Sequence, residues 1–270
     1  MDMVSFSTAS LLLGVGIGVG FVSGLLGIAG GVILIPFLLE IENLIGISPD
    51  IAVKIAFGSS LFTGFFTNLS GSAQHWKNHN IRWRDAILLS VSGALGALLG
   101  SSISSYLSGA ILKPLFGIAA LLAAFIMLLL SRTYERNEPR NIAAPLLVCI
   151  GSFIGILSSL VGIGGGIMLI PFLIVFLRYP SRLAAGTSGT VIPLIAISGA
   201  IGYIVHGWTR ENLPPFSLGY VNLFFVLCVS TTSMIAAPWG AKAAAKIRST
   251  WLTVCFAGLL IWVALKMFGL

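Results

Sequence analysis

Twelve residues at 27–38, GIAGGVILIPFL, return at 162–173 as GIGGGIMLIPFL, with nine positions identical and an interval of 135. The groups that could do chemistry here belong to the main chain. Glycine adopts dihedrals closed to other residues and lets a ligand approach the backbone. A fresh apolar run starts after Gly30-Gly31 and after Gly164-Gly165-Gly166, with Pro36 or Pro171 inside its first two turns. A helix starting there aims its unpaired N–H groups and the positive end of its dipole back at the glycines. Such an end binds anions without a cationic side chain, and two facing ends supply roughly one unit of positive charge. An isolated glycine run more often lets two helices pack closely. Recurrence with the same IPFL tail favours an oxyanion site.

A second duplicated element supplies hydroxyls: Gly58-Ser59-Ser60 matches Gly186-Thr187-Ser188. Hydroxyls and amides donate to oxyanions at lower desolvation cost than buried Lys or Arg. Ser59, Ser60, Thr187, Ser188 and the nearby amide Asn68 are therefore candidate substrate contacts. Helix packing with back-bonding to helix carbonyls is their plain alternative. Lys54, at the start of its apolar segment, either snorkels or draws anions to a mouth. His75 stands with His79 beside Trp76, as an interfacial anchor or a gating group, and His206 with Trp208 reads the same way. Asp85 and Glu211 read as solvated helix-end charges.

These groups must be held inside a bilayer. The chain is 57% hydrophobic and 9% charged, with a mean hydropathy of +1.04, which no soluble domain of this size matches. Apolar segments fall at about 8–42, 50–76, 85–106, 110–131, 143–177, 183–206, 217–238 and 250–268. The expected fold is thus an all-α polytopic membrane protein with eight hydrophobic segments. The charged stretch RTYERNEPRN, at 132–141, divides it into repeats at 1–131 and 143–270, joined by a cytoplasmic linker at 132–142. Ser70-Gly71 recurs as Ser198-Gly199, and Gly100, Leu112 and Phe116 recur as Gly240, Leu252 and Phe256. Duplicated halves are a usual construction of secondary transporters.

The two motif-bearing segments are about 35 residues long, whereas one crossing needs about 20. Each is a broken helix or a re-entrant hairpin, and loop charge discriminates. Eight crossings leave 8 Lys and Arg inside and 7 outside; six crossings plus two hairpins leave 11 inside and only Lys54, Lys113, Arg210 and Lys266 outside. The second arrangement obeys the positive-inside rule. Three crossings per half would invert the second repeat, so that the glycine tips dip from opposite faces and meet near mid-membrane.

The duplicated Gly-rich IPFL motif, the GSS/GTS element and the later SG pair together resemble the TauE/SafE family of sulfite exporters and organosulfonate permeases, over about Ser10 to Leu265. The resemblance implies transport of sulfite, a small sulfonate such as sulfoacetate, or a similar organic anion across a bacterial cytoplasmic (inner) membrane. Ala29 stands where the second copy has Gly164.

Other classes fare worse. Basic residues confined to short loops report orientation rather than nucleic-acid binding. Cys149, Cys228 and Cys255 lack metal-ligand spacing, no Walker-type GxxxxGK[ST] occurs, and the N-terminus lacks a basic signal-peptide region. No metal or cofactor is expected; the partners are a small anion and lipid, with a homodimer possible. Gly186-Thr187-Ser188-Gly189 fits a serine-nucleophile pattern, but His206 lies 18 residues on along one helix, about 27 Å away. A passive anion channel and a scaffold or sensor complete the alternatives.

Overall fold

The computed structural model describes residues 6–26, 30–77, 81–130, 142–244 and 249–269. Ten helices run in chain order: α1 (Phe6–Leu26), α2 (Gly31–Ile45), α3 (Pro49–Lys77), α4 (Trp83–Tyr106), α5 (Gly109–Leu130), α6 (Ala144–Leu160), α7 (Gly166–Val175), α8 (Ser181–Gly207), α9 (Leu223–Ala244) and α10 (Ser249–Met267). Both overlong segments are broken, the first into α1 and α2, the second into α6 and α7. The chain folds back at each break. Gly30 packs against Val19, eleven positions earlier, where a continued helix would separate them by about 16 Å. Gly165 lies against Ser158 in the same manner.

Five described helices are long and apolar enough to cross a bilayer: those containing Thr8–Leu25, Trp83–Tyr106, Gly109–Leu129, Leu183–Gly207 and Leu223–Ala243. This is an all-α membrane protein. The apolar run expected from 217 starts its helix late. Ser217–Leu218 (β1) and Val221–Asn222 (β2) pair as a two-residue antiparallel hairpin instead. Pro214 and Pro215 end the preceding backbone pattern, Gly219 turns at φ 57°, and the Asn222 side chain accepts the Phe225 amide to start α9.

Packing follows small residues. Helix α4 buries Ser92, Gly93, Gly96, Ala97, Gly100 and Ser101, while Ile87, Val91, Leu95, Leu99 and Ile103 face outward. That arrangement, apolar outside and small or polar inside, suits a helix solvated by lipid. Its partner is α6. A Cβ on Gly155 would lie 2.0 Å from the Gly93 carbonyl oxygen, and one on Gly100 would lie 2.2 Å from that of Ile156. Helix α1 rides on α9 in the same way, with Gly16 at Val229, Gly20 at Ser233 and Gly24 at Ala237. Residue numbers rise together in both pairs, so each pair is parallel. Helices α3 and α8 cross at the centre with opposite sense, Gly58 at Tyr203 and Gly199 at Leu61.

Replacing Gly155 with Leu drives a side chain into the α4 backbone and is expected to destabilise by about 2 kcal/mol or more. Gly14→Leu, where no atom lies within 4 Å, stays within about 0.5 kcal/mol of the parent. Thermal unfolding of the detergent-solubilised variants checks the contrast.

Candidate functional site

Each break ends one helix and starts another with main-chain groups only. Helix α6 closes through Gly162 at φ 70°. Ile163 N donates to the Ser158 carbonyl at 3.1 Å and Gly162 N to that of Ser159 at 3.3 Å. This is the left-handed glycine termination that satisfies the last carbonyls of a helix. Gly164 and Gly165 follow at φ 81° and 86°, a region that side chains resist. Helix α7 then starts: the Gly165 carbonyl accepts from Met168 and Leu169. Helix α2 starts with the same hydrogen bonds, the Gly30 carbonyl accepting from Ile33 and Leu34, although Gly30 itself stands at φ −64°. The amides of Gly31, Val32, Gly166 and Ile167 find no acceptor among the described residues.

The two breaks touch. A Cβ on Gly31 would lie 3.1 Å from the Ile163 carbonyl oxygen, 3.2 Å from that of Gly162 and 2.6 Å from Ser60 Oγ. Gly162 in turn packs on Phe57 of α3. Residues 30–32 and 161–167 are buried throughout. The start of α2 thus faces carbonyl oxygens of the other hairpin, which complement its positive dipole end in this conformation.

The four candidate hydroxyls separate into two roles. Ser59 Oγ accepts the Asn222 amide at 2.9 Å, and Thr187 Oγ1 accepts the Arg82 amide at 3.2 Å. Ser59 and Thr187 are repeat equivalents. Arg82 and Asn222, 140 positions apart like Gly100 and Gly240, are also equivalents. Each hydroxyl therefore clamps the entry of the other half's helix, α9 or α4. Ser60 and Ser188 are also buried, yet neither Oγ has a partner among the described residues. Thr63, one turn along α3, and Ser158 and Ser159 at the end of α6 share this state. Of these, Ser60 lies beside Gly31 and Ser158 beside Gly165, and buried hydroxyls lacking partners at such breaks are what a site for a polar guest requires. Ser158 and Ser159 escape sequence reasoning because a serine inside an apolar run looks the same whether bonded or not. Their position, four and three residues before the glycine motif, was the available signal.

The remaining candidates lie further off. Asn68 back-bonds its own helix, Nδ2 donating to the Gly64 carbonyl at 2.8 Å. Lys54 is buried rather than snorkelling. Its Nζ donates to the Ser105 carbonyl at 2.7 Å and sits 5.6 Å over the Tyr220 ring. It lines an open cavity of ≈ 660 Å³ together with Asp50, Ser105, Tyr106, Arg210 and Tyr220. The His75 side chain lies outside the described residues, as do Ala29 and residues 131–141 of the linker. His206 turns its Nδ1 to the Gly202 carbonyl at 2.8 Å.

Asp85 corrects the expectation of a solvated charge. It is 1% exposed, 3.4 Å from Arg82 Nε, and accepts a hydrogen bond from the Tyr179 hydroxyl. Short sequence range hid this, because Tyr179 arrives from the loop after α7. Burial first, and then that hydrogen bond, push the Tyr179 phenol well above its ordinary value, so it remains a donor across the physiological range.

A family model described as sulfite exporter TauE/SafE matches residues 12–267. A probable membrane transporter protein of Haemophilus influenzae is 32% identical over 97% of this chain and 99% of its own. One of Methanocaldococcus jannaschii is 33% identical over 93% and 91%. A third, from Bacillus subtilis, is 24% identical over 73% and 78%. No solved structure matches the chain.

Ser59→Ala strips a buried amide, and Thr187→Ala a part-buried one, of its hydroxyl acceptor, and each is expected to cost about 1–3 kcal/mol. Ser60→Ala and Ser188→Ala remove hydroxyls that bond nothing in this state, and leave stability near or above the parent's. Unfolding midpoints of the four variants, ranked the other way, would reverse this division of roles.

Proposed function

The chain belongs to the sulfite exporter TauE/SafE family, and from that premise we propose a secondary transporter that exports sulfite or a related small sulfur oxyanion or organosulfonate by alternating access. The observation that carries the reading is the contact of the start of α2 with the second break, with Ser60 and Ser158, buried hydroxyls lacking partners among the described residues, beside the glycines. The amides of Gly31, Val32, Gly166 and Ile167, which lack acceptors among the described residues, bind the oxyanion oxygens, with Ser60 donating at the Gly31 end of the path and Ser188 at the second repeat's end. Gly30, Gly164 and Gly165 give the main chain its shape at the site. Ser59 and Thr187 position it through the clamps on α9 and α4.

The halves are inverted with respect to one another in this reading, as the opposed crossing of α3 and α8 supports. Loop charge then sets Lys54, Arg210 and their cavity on the outside, where Lys54 receives the departing anion, and sets Arg82, Asp85 and Tyr179 at the inner membrane's cytoplasmic face. The anion enters when one hairpin rocks away from the other, because the Gly162 and Ile163 carbonyls lie against Gly31 when the breaks are together. That contact favours a carrier over a standing pore. An inside-negative potential drives anion efflux by about 2.3 kcal/mol per charge per 100 mV.

Proteoliposome flux with sulfite, sulfate, thiosulfate, sulfoacetate and acetate tests the assignment. Saturable, exchange-stimulated movement of the sulfur anions is expected. Gly31→Val abolishes it, and Ser60→Ala or Ser188→Ala raises the half-saturating concentration about tenfold, the equivalent of one hydrogen bond to a charged group. Unimpaired flux in Gly31→Val would remove the site, and single-channel currents would replace the carrier by a channel.

A further inference from the structure

Helix α2 carries a second buried group with no assigned work. The Glu42 side chain is 0% exposed, and neither carboxyl oxygen has a hydrogen-bond partner among the described residues. A carboxylate ion without donors in a dehydrated core is strongly disfavoured, whereas a neutral acid is tolerated. In the sequence repeat, position 42 corresponds to Leu177, 135 residues on, which is equally buried but lies in the turn after α7 rather than in a helix. The second repeat thus carries no carboxyl at the matching position.

We propose that Glu42 is a proton-binding site whose occupancy is linked to the position of the first hairpin, so that anion transport is coupled to protons. This rests on the transport reading above. Glu42 and Gly31 share one helix, eleven residues or about 16 Å apart. Any displacement that frees Gly31 from the Gly162 and Ile163 carbonyls also moves Glu42 out of its dry seat. The O–H bond then breaks, leaving a carboxylate and passing the proton to water on the side to which the hairpin has opened. Return of the hairpin requires a proton to be taken up again. Linkage makes the effect reciprocal: anion occupancy shifts proton affinity, and pH shifts anion affinity.

The charged groups around this seat are consistent with a lone titrating acid. Lys113 on α5 is the cation whose field reaches Glu42. Lys266 on α10 is paired to Glu40 at 2.8 Å. On α3, Asp50 accepts the Gly109 amide and Lys54 holds the Ser105 carbonyl; the His75 and Lys77 side chains lie outside the described residues. Helix α1 contributes no titratable side chain.

Two measurements decide the matter. Infrared difference spectra of the protein in nanodiscs, wild type minus Glu42→Gln, should carry the carbonyl stretch of a neutral carboxylic acid at neutral pH. Its absence overturns the proposal whether or not any anion is carried. In proteoliposomes, efflux of a panel anion that holds no proton near neutrality, such as thiosulfate, should move protons detected by an entrapped pH dye. Glu42→Gln should lose that movement and flatten the pH dependence of flux, and Glu42→Asp should retain both. Undiminished proton movement in Glu42→Gln overturns the coupling. If wild type carries no panel anion, the transport reading fails on its own, and the infrared band alone decides the protonation.

Discussion

Inside a bilayer, a main-chain amide or carbonyl that leaves its helix has only the protein itself to bond to. Two helices of this chain are interrupted in that environment, and much of the fold serves the interruptions. The left-handed turn at Gly162 returns two amides to the last carbonyls of α6. The central crossing of α3 and α8 walls the breaks with Phe57, Leu61 and Tyr203, while Tyr203 donates from its phenol to Ser104 and to the Ser159 carbonyl. Among the described residues, the walls leave without partners the first amides of two helices and a few hydroxyls, groups that can all donate. In the proposed reading, donors without a nearby cation suit an anion that must also leave, since a buried lysine would hold it too firmly.

Burial within lipid also inverts the usual grammar of amphipathic helices. Along α4 the large side chains face outward and the glycines and serines face the protein. Close backbone approach between α4 and α6, and between α1 and α9, replaces the hydrophobic drive that water would supply. The resulting scaffold is stiff where the pairs run parallel.

The breaks, their glycines and the helices beyond them were legible because a duplicated, overlong apolar run admits few geometries. Helix number was less legible: the sequence reads as eight apolar segments, whereas the described residues form ten helices because both overlong segments are broken. Legibility ended at partners. Ser59 and Ser60 are neighbours of similar type, and only the fold reveals that one is bonded to Asn222 while the other finds no partner among the described residues. Asp85 reads as a surface charge until Tyr179 closes over it from 94 residues away. The hairpin before α9 was hidden in an apolar run, where Asn222 carried the helix start that hydropathy placed six residues earlier. Glu42 sat unnoticed between isoleucine and asparagine, because its significance is the lack of a donor, which no pattern of residue types records.

The exchange of clamps between halves bears on how the chain is made. The Arg82 amide waits for Thr187, and α1 waits for a seat on α9, more than 200 residues downstream. Ser59 likewise stays idle until Asn222 has been synthesised. An N-terminal half emerging from the ribosome therefore enters the membrane with its first helix unseated and its glycine turn uncovered. The first half's contacts are thus completed only once the second half has been made.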